Sequence, residues 1–281
     1  MAEHGSTCKK RYERAKAIRA NFTWHWQEVA DLVQPSRQFT FRRTPGTKQN
    51  LEIVNDTAPL AASSLAAALY GLLANPATNW YSLVTEDFDL RVDEGVRKFL
   101  YDATNRGLSY LASSASGFPT ALHEVFLDLV SFGTGIMQAS TDKLNMLRFN
   151  SRQLANFFMC ENPDGVVDET FRRFELDAHE AVHLFDKDGD VLPEEILDHF
   201  RDDKDNKRKW WFVHEVSRRL DRDITRNDPK NKPWSSIYFL EKTGEVIRES
   251  GFPFNIYITP RWSKSPEEVF GRSPAMMMLP T

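Results

Sequence analysis

This 281-residue chain has little cysteine, no long apolar run and no strong excess of either charge sign. Its two cysteines, Cys8 and Cys160, form no spacing motif, so no disulfide scaffold is expected and a reducing compartment is the default. Thirty-six basic and 40 acidic residues leave a formal net charge of -4. That total is not the clustered basic surface that tight, sequence-independent DNA binding needs, although local basic patches are left open. The opening MAEHGSTCKKRYERAK is polar and charged, with no apolar core or cleavage site, and no secretory signal is expected there. The single candidate membrane span, 58–74, is diluted by Ser63, Ser64 and many alanines, which insert weakly. No G-x-x-x-x-G-K-[ST] or G-x-G-x-x-G run offers a phosphate cradle, and Gly133-Thr134-Gly135 is too short to count. A G-x-S-x-G nucleophile elbow is missing, as are internal repeats and low-complexity tracts.

What is present reads as a globular α+β protein: 41% hydrophobic and 27% charged residues, in a chain long enough to bury a sizeable core. Tyr12, Ala15, Ile18, Phe22, Trp26, Val29 and Val33 recur at helical steps and predict an amphipathic helix over 10–33, stopped by Pro35. Residues 36–50 read as an extended segment and loop. Further helices are predicted from Asp56 or Thr57 to Asn75-Pro76, over 91–112, and from Thr120 to Phe132. Beyond Gly135 the pattern shortens. Strands are predicted at 136–140, 146–149, 157–161, 166–174, 210–219, 237–249 (around a Thr243-Gly244 turn) and 254–258, with Asn162-Pro-Asp-Gly165 closing a hairpin. Short helices are expected at 177–185 and 193–200, and Ser265-Pro266 reads as the opening of a last helix. Because that pattern is still gathering at Thr281, the chain is expected to be a truncation of a longer protein.

The segment from Asn55 to Leu83 stands apart. It is alanine-rich, almost free of charge, entered through Pro59, left through Asn75-Pro76, and followed by Trp80-Tyr81. A helix with so small a face presses closely on neighbours. Ala61, Ser64, Ala68 and Gly71 are its expected packing or assembly face, with Trp80 and Tyr81 anchoring the exit.

Candidate chemistry is sparse. His179-Glu180-Ala-Val-His183 is an H-E-x-x-H, the pattern in which two histidines one turn apart bind zinc and the glutamate activates water. No third ligand follows at the usual spacing: the extended form wants glycine at 186 and histidine at 189, where this chain has Asp186 and Gly189. Two surface histidines on a short amphipathic helix are the simpler reading. Asp186-Lys-Asp-Gly-Asp190 lacks the sixth-position glycine and twelfth-position glutamate of an EF-hand and reads as a polar turn. Arg37, Arg42 and Arg43 interleave with Phe39 and Phe41, as a single-strand nucleic-acid site would, or as a half-buried strand with a charged outer face. Lys207, Arg208, Lys209, Arg218, Arg219 and Arg222 form the most basic region, a candidate surface for DNA or an acidic partner; nearby Asp221 and Asp223 favour mixed polarity instead.

Taken together, RYERAKAIRANFTWHWQEVADLVQPSRQ, the Asn55–Leu83 segment, NPDGVVDETFRRFELDAHEAV and SGFPFNIYITPRWSKSPEEVFGRSPAMMMLP resemble, in this order, the head-to-tail connector (portal) proteins of short-tailed bacteriophages. The resemblance implies a ring, usually of twelve copies, at one capsid vertex, through which double-stranded DNA is packaged and ejected. It implies terminase, tail or adaptor, capsid and scaffolding proteins as partners, with no cofactor, no catalysis and no membrane. The protein would reside in the virion, and in the host cytoplasm during assembly. By the same resemblance, 1–160 would be a mainly helical wing-like region, 161–265 strand-rich stem and clip material, and 266–281 the start of a stem helix. The alternatives are a zinc metallopeptidase using His179, His183 and Glu180, and a helical interaction scaffold.

Overall fold

The computed structural model describes residues 2–40, 55–142, 146–185, 192–202, 208–226 and 228–279. Helices fill the first half: α1 (Ala2–Val33), α2 (Thr57–Leu73), α3 (Phe88–Val92), α4 (Glu94–Ala112) and α5 (Phe118–Phe132). Strands follow as β1 (Met137–Asp142), β2 (Met146–Ser151), β3 (Phe157–Glu161) and β4 (Val167–Leu176). After α6 (Ala178–Phe185) and α7 (Glu194–Asp202) come β5 (Trp210–Arg218), β6 (Trp234–Leu240), β7 (Val246–Phe252), β8 (Tyr257–Ile258) and α8 (Pro274–Met278). This is the α+β order expected from the sequence. No helix of the described residues is long and apolar enough to cross a membrane.

The chain divides into two compact units whose segments interleave rather than follow one another. Met1–Trp24, Gln153–Tyr257 and Glu267–Val269 make one; His25–Arg152, Ile258–Pro266 and Phe270–Thr281 make the other.

In the first unit, β3-β4-β5-β6-β7 form an antiparallel meander. Strand alternation sends Val213 and Phe239 to one face and Phe212 and Leu240 to the other. The first face is covered by α1 through Cys8, Tyr12 and Ala15, with Phe158 and Phe171 completing the layer. The second is covered by α6 and α7 through Ala181, Phe185 and Ile196. The β3–β4 hairpin turns at Asn162–Gly165 as expected, with Gly165 at φ 75° and the Asn162 side chain accepting from the Val166 amide at 3.0 Å. Two of the three arginines of α1 turn away from solvent. Arg11 reaches the buried carboxylate of Glu215, and Arg19, 8% exposed, donates to the carbonyls of Leu154, Ala155 and Phe157 while its guanidinium lies 4.3 Å from the Phe158 ring centroid.

In the second unit, β1 and β2 pair antiparallel, Met137 opposite Ser151. Gly133 ends α5 in the left-handed region, φ 75°. Here the late segment returns to the end of α5. Gly135 N–H donates to the Pro260 carbonyl at 3.1 Å and Trp262 N–H to the Gly133 carbonyl at 2.9 Å. A Cβ on either Gly133 or Gly271 would collide with the other's carbonyl. Trp26 is fully buried beside this closure, edge-on to Phe270 at 5.1 Å, its indole N–H donating to the Phe132 carbonyl at 3.1 Å.

Four sequence expectations need correction. The helix expected at 91–112 is interrupted at Asp93, which is extended (ψ 126°) and caps α4 by accepting from Val96 N–H at 2.8 Å. The last helix opens at Pro274, not at Ser265-Pro266; Ser273 caps it, accepting from Met276 N–H at 2.9 Å. The strand expected at 254–258 shrinks to Tyr257–Ile258. Asp56 makes no side-chain cap; Asn55 instead accepts from Thr57 N–H at 2.9 Å.

Candidate assembly surface

Helix α2 packs on α5 along one stripe: Ala66, fully buried, with Leu69 and Tyr70, against Ala121, Val125, Phe126 and Leu129. Ala62 is buried on the same side. Small and apolar residues also fill the outer positions, among them Leu60, Leu65 and Leu72, so the sequence of this helix carries little directional bias. The face singled out from the sequence therefore points the other way. Ala61, Ser64, Ala68 and Gly71 are all exposed, and nothing lies within 4 Å of where a Cβ on Gly71 would stand. Leu65 and Leu72, also exposed, border that face.

The exit from α2 is an Asx-type turn in which the Asn75 side chain accepts from Ala77 N–H at 2.9 Å. Trp80 then stacks on Phe118 (centroids 6.0 Å apart, planes 3° apart) and meets Tyr81 edge-on at 4.9 Å. The Tyr81 hydroxyl occupies the place a Cβ on Gly107 would take. Leu83 N–H donates to Thr104 Oγ1 at 3.0 Å, and that hydroxyl donates to the Leu100 carbonyl at 2.7 Å. Trp80 and Tyr81 thus hold the exit strap along α4, beside an open, mostly apolar groove lined by Leu83, Arg91, Leu100 and Tyr101 among others. Thr104 was not singled out from the sequence; a threonine amid the apolar residues of a helix is the signal that could have found it.

The basic candidates do not converge. Arg208 pairs with Glu195 and contacts His199 Nε2 at 3.0 Å, next to exposed Lys209, at the start of β5. Exposed Arg218 and half-buried Arg219 sit at its other end, about 26 Å away at strand rise. Arg219 is spent on Glu249 at 3.0 Å and on the Lys230 carbonyl; Arg222 is half-buried in the following loop. Lys207 lies outside the described residues, as do Phe41, Arg42 and Arg43. The described part of that aromatic–basic run serves the subunit's interior. Phe39 packs on Phe132 at 4.9 Å and on Trp26 at 5.4 Å, and Arg37 grips Asp128. Burial pushes the Asp128 carboxyl up to about 6, outweighing the guanidinium that opposes it.

The H-E-x-x-H is helical, but its glutamate has another task. Asp177 Oδ1 accepts from Glu180 N–H at 2.8 Å and Glu180 Oε2 accepts from Asp177 N–H at 3.1 Å. This reciprocal capping box starts α6. The His179 ring meets Phe200 at 4.9 Å. Among the described residues no group of three or more His, Cys, Asp or Glu side chains is arranged to hold a metal ion; the 186–190 turn lies outside them. The zinc reading gains no support.

Residues 5–281 match the family described as bacteriophage head to tail connecting protein. The chain is 27% identical over 274 residues to the probable portal protein of Bordetella phage BPP-1, covering 96% of this chain and 48% of that protein. It is 27% identical over 277 residues to the portal protein of Salmonella phage epsilon15, covering 96% of this chain and 49% of that protein. The chain spans about half the length of these relatives.

Proposed function

We propose, starting from the fact that this chain belongs to the bacteriophage head to tail connecting protein family, that it is a structural subunit of a portal ring at one capsid vertex. Twelve copies would surround a channel for packaging and ejecting double-stranded DNA. The ring would bind terminase during packaging and tail or adaptor proteins afterwards, with capsid and scaffolding proteins around it. The virion is its final place and the host cytoplasm its place of assembly. Residues 1–160 would be wing-like, 161–265 stem and clip, and 266–281 the beginning of a stem helix.

The observation that carries this reading is the family match running through nearly the whole chain, 5–281. The exposed, uncharged face of α2 supports it as a surface made for assembly. The division of basic residues between the two ends of β5 suits a wall that DNA slides past, since each phosphate gripped would add salt-dependent affinity. Electron microscopy of the purified chain tests it. Top views with rotational symmetry and a central hole are expected; particles without radial symmetry would favour a plain interaction scaffold and overturn the ring.

A further inference from the structure

We infer that the outer face of α2 and the aromatic surface of α3 and α4 are the two halves of a head-to-tail contact between neighbouring copies of this chain. The inference rests on the ring proposed above and names the surfaces that close it.

Three observations carry it. Half of the large apolar side chains exposed among the described residues fall between Leu60 and Tyr101. Such concentration on a soluble subunit marks a surface that is covered in use. Secondly, no Asp, Glu, Lys, Arg or His occurs from Thr57 to Thr85. Copies that each carry a net charge of -4 repel at long range, and an uncharged patch is where they can touch without placing like charges together. Thirdly, the side chains of the two surfaces are opposite in size. Ala61, Ser64, Ala68 and Gly71 leave a shallow furrow beside Leu65 and Leu72, whereas Phe88, Val92 and Phe99 stand 73%, 65% and 70% exposed. Large knobs fill a small-residue furrow.

Symmetry selects the pairing. Contact of α2 with a second α2 across a two-fold axis would close a dimer, whereas a ring needs two different patches on each subunit. Within the subunit α2 is occupied by α5 on its opposite side, which leaves the furrow open for the next copy.

Cysteine cross-linking tests the pairing directly. Gly71→Cys meets open space, and Phe99→Cys replaces an exposed ring. The native Cys8 and Cys160 are buried, and burial pushes the Cys8 thiol up to about 12, so both stay silent to a short bifunctional maleimide. Mixing the two single variants should give a cross-linked dimer that neither gives alone, and one chain carrying both should give a ladder. Ala68→Glu should abolish self-association while leaving the melting temperature of the separated subunit unchanged. Cross-linking of Gly71→Cys with itself would overturn the head-to-tail pairing in favour of a two-fold one. Self-association of the unmodified chain in sedimentation without 71–99 cross-links would overturn this contact and leave the ring standing. A chain that never self-associates would overturn both.

Discussion

Arg37 forks onto Asp128, its Nε 3.0 Å from Oδ1 and its terminal nitrogen 3.2 Å from Oδ2. The pair ties the segment after α1 to the middle of α5, and the carboxylate is 1% exposed. Its titration predicts a pH signature. The folded-state value of about 6 lies above the ordinary 3.8, so between those values the folded chain binds more protons than the unfolded one. This group's contribution is therefore greatest below pH 4 and is lost as pH rises through 6. Thermal melts of the unmodified chain and of Asp128→Asn should show it. The change in melting temperature from pH 7 to pH 5 should be more favourable in the unmodified chain, the other carboxylates cancelling in the comparison.

Two glycines should respond with opposite signs. Gly133→Ala must adopt φ 75° and meet the Gly271 carbonyl; a non-glycine residue held there costs about 1–3 kcal/mol before the collision is counted. Gly71→Ala lies inside a helix with open space around it and should stabilise the subunit by up to about 1 kcal/mol. Denaturant titration of both variants measures this. Equal effects would contradict the geometry.

The same method separates the two sides of α2. Ala66 is fully buried against α5, so Ala66→Leu should cost about 1–3 kcal/mol by overpacking. Ala68 is exposed, and Ala68→Leu should leave subunit stability nearly unchanged. If Ala68→Leu were the damaging one, α2 would be rotated from the orientation described.

Much of this was legible in the sequence, and its failures have physical causes. Helix α5 was readable because Val125, Phe126, Leu129 and Val130 make a wide stripe ended by Gly133. The β3–β4 hairpin was readable because Asn162-Pro-Asp-Gly165 permits few other conformations. That α2 is a helix was readable; its rotation was not, because leucines lie on both sides of it, Leu60, Leu65 and Leu72 outside and Leu69 inside, with small residues between. The break at Asp93 did leave a signal, an aspartate directly before Glu94 and Gly95, but the apolar periodicity continued through it. The docking of Arg19 onto three carbonyls left none, since its acceptors lie more than a hundred residues away. The candidate surface was legible as residues, while its exposure follows from the position of α5. The basic candidates looked like one region because β5 is short in sequence and long in space.

The capping box of α6 predicts how Glu180 behaves. Glu180→Ala should weaken the helix start by roughly 0.5–2 kcal/mol, a loss readable as a lower melting temperature, and should leave the zinc content of the purified protein unchanged. Stoichiometric zinc, with peptidase activity lost in this variant, would restore the enzyme reading.

Whether copies of this chain close into a ring is read by native mass spectrometry, which counts them. A single dominant assembly of twelve chains, each of 32.4 kDa, is expected. A lone 32.4 kDa species at every concentration, or an open series of sizes with no preferred number, would rule the closed ring out.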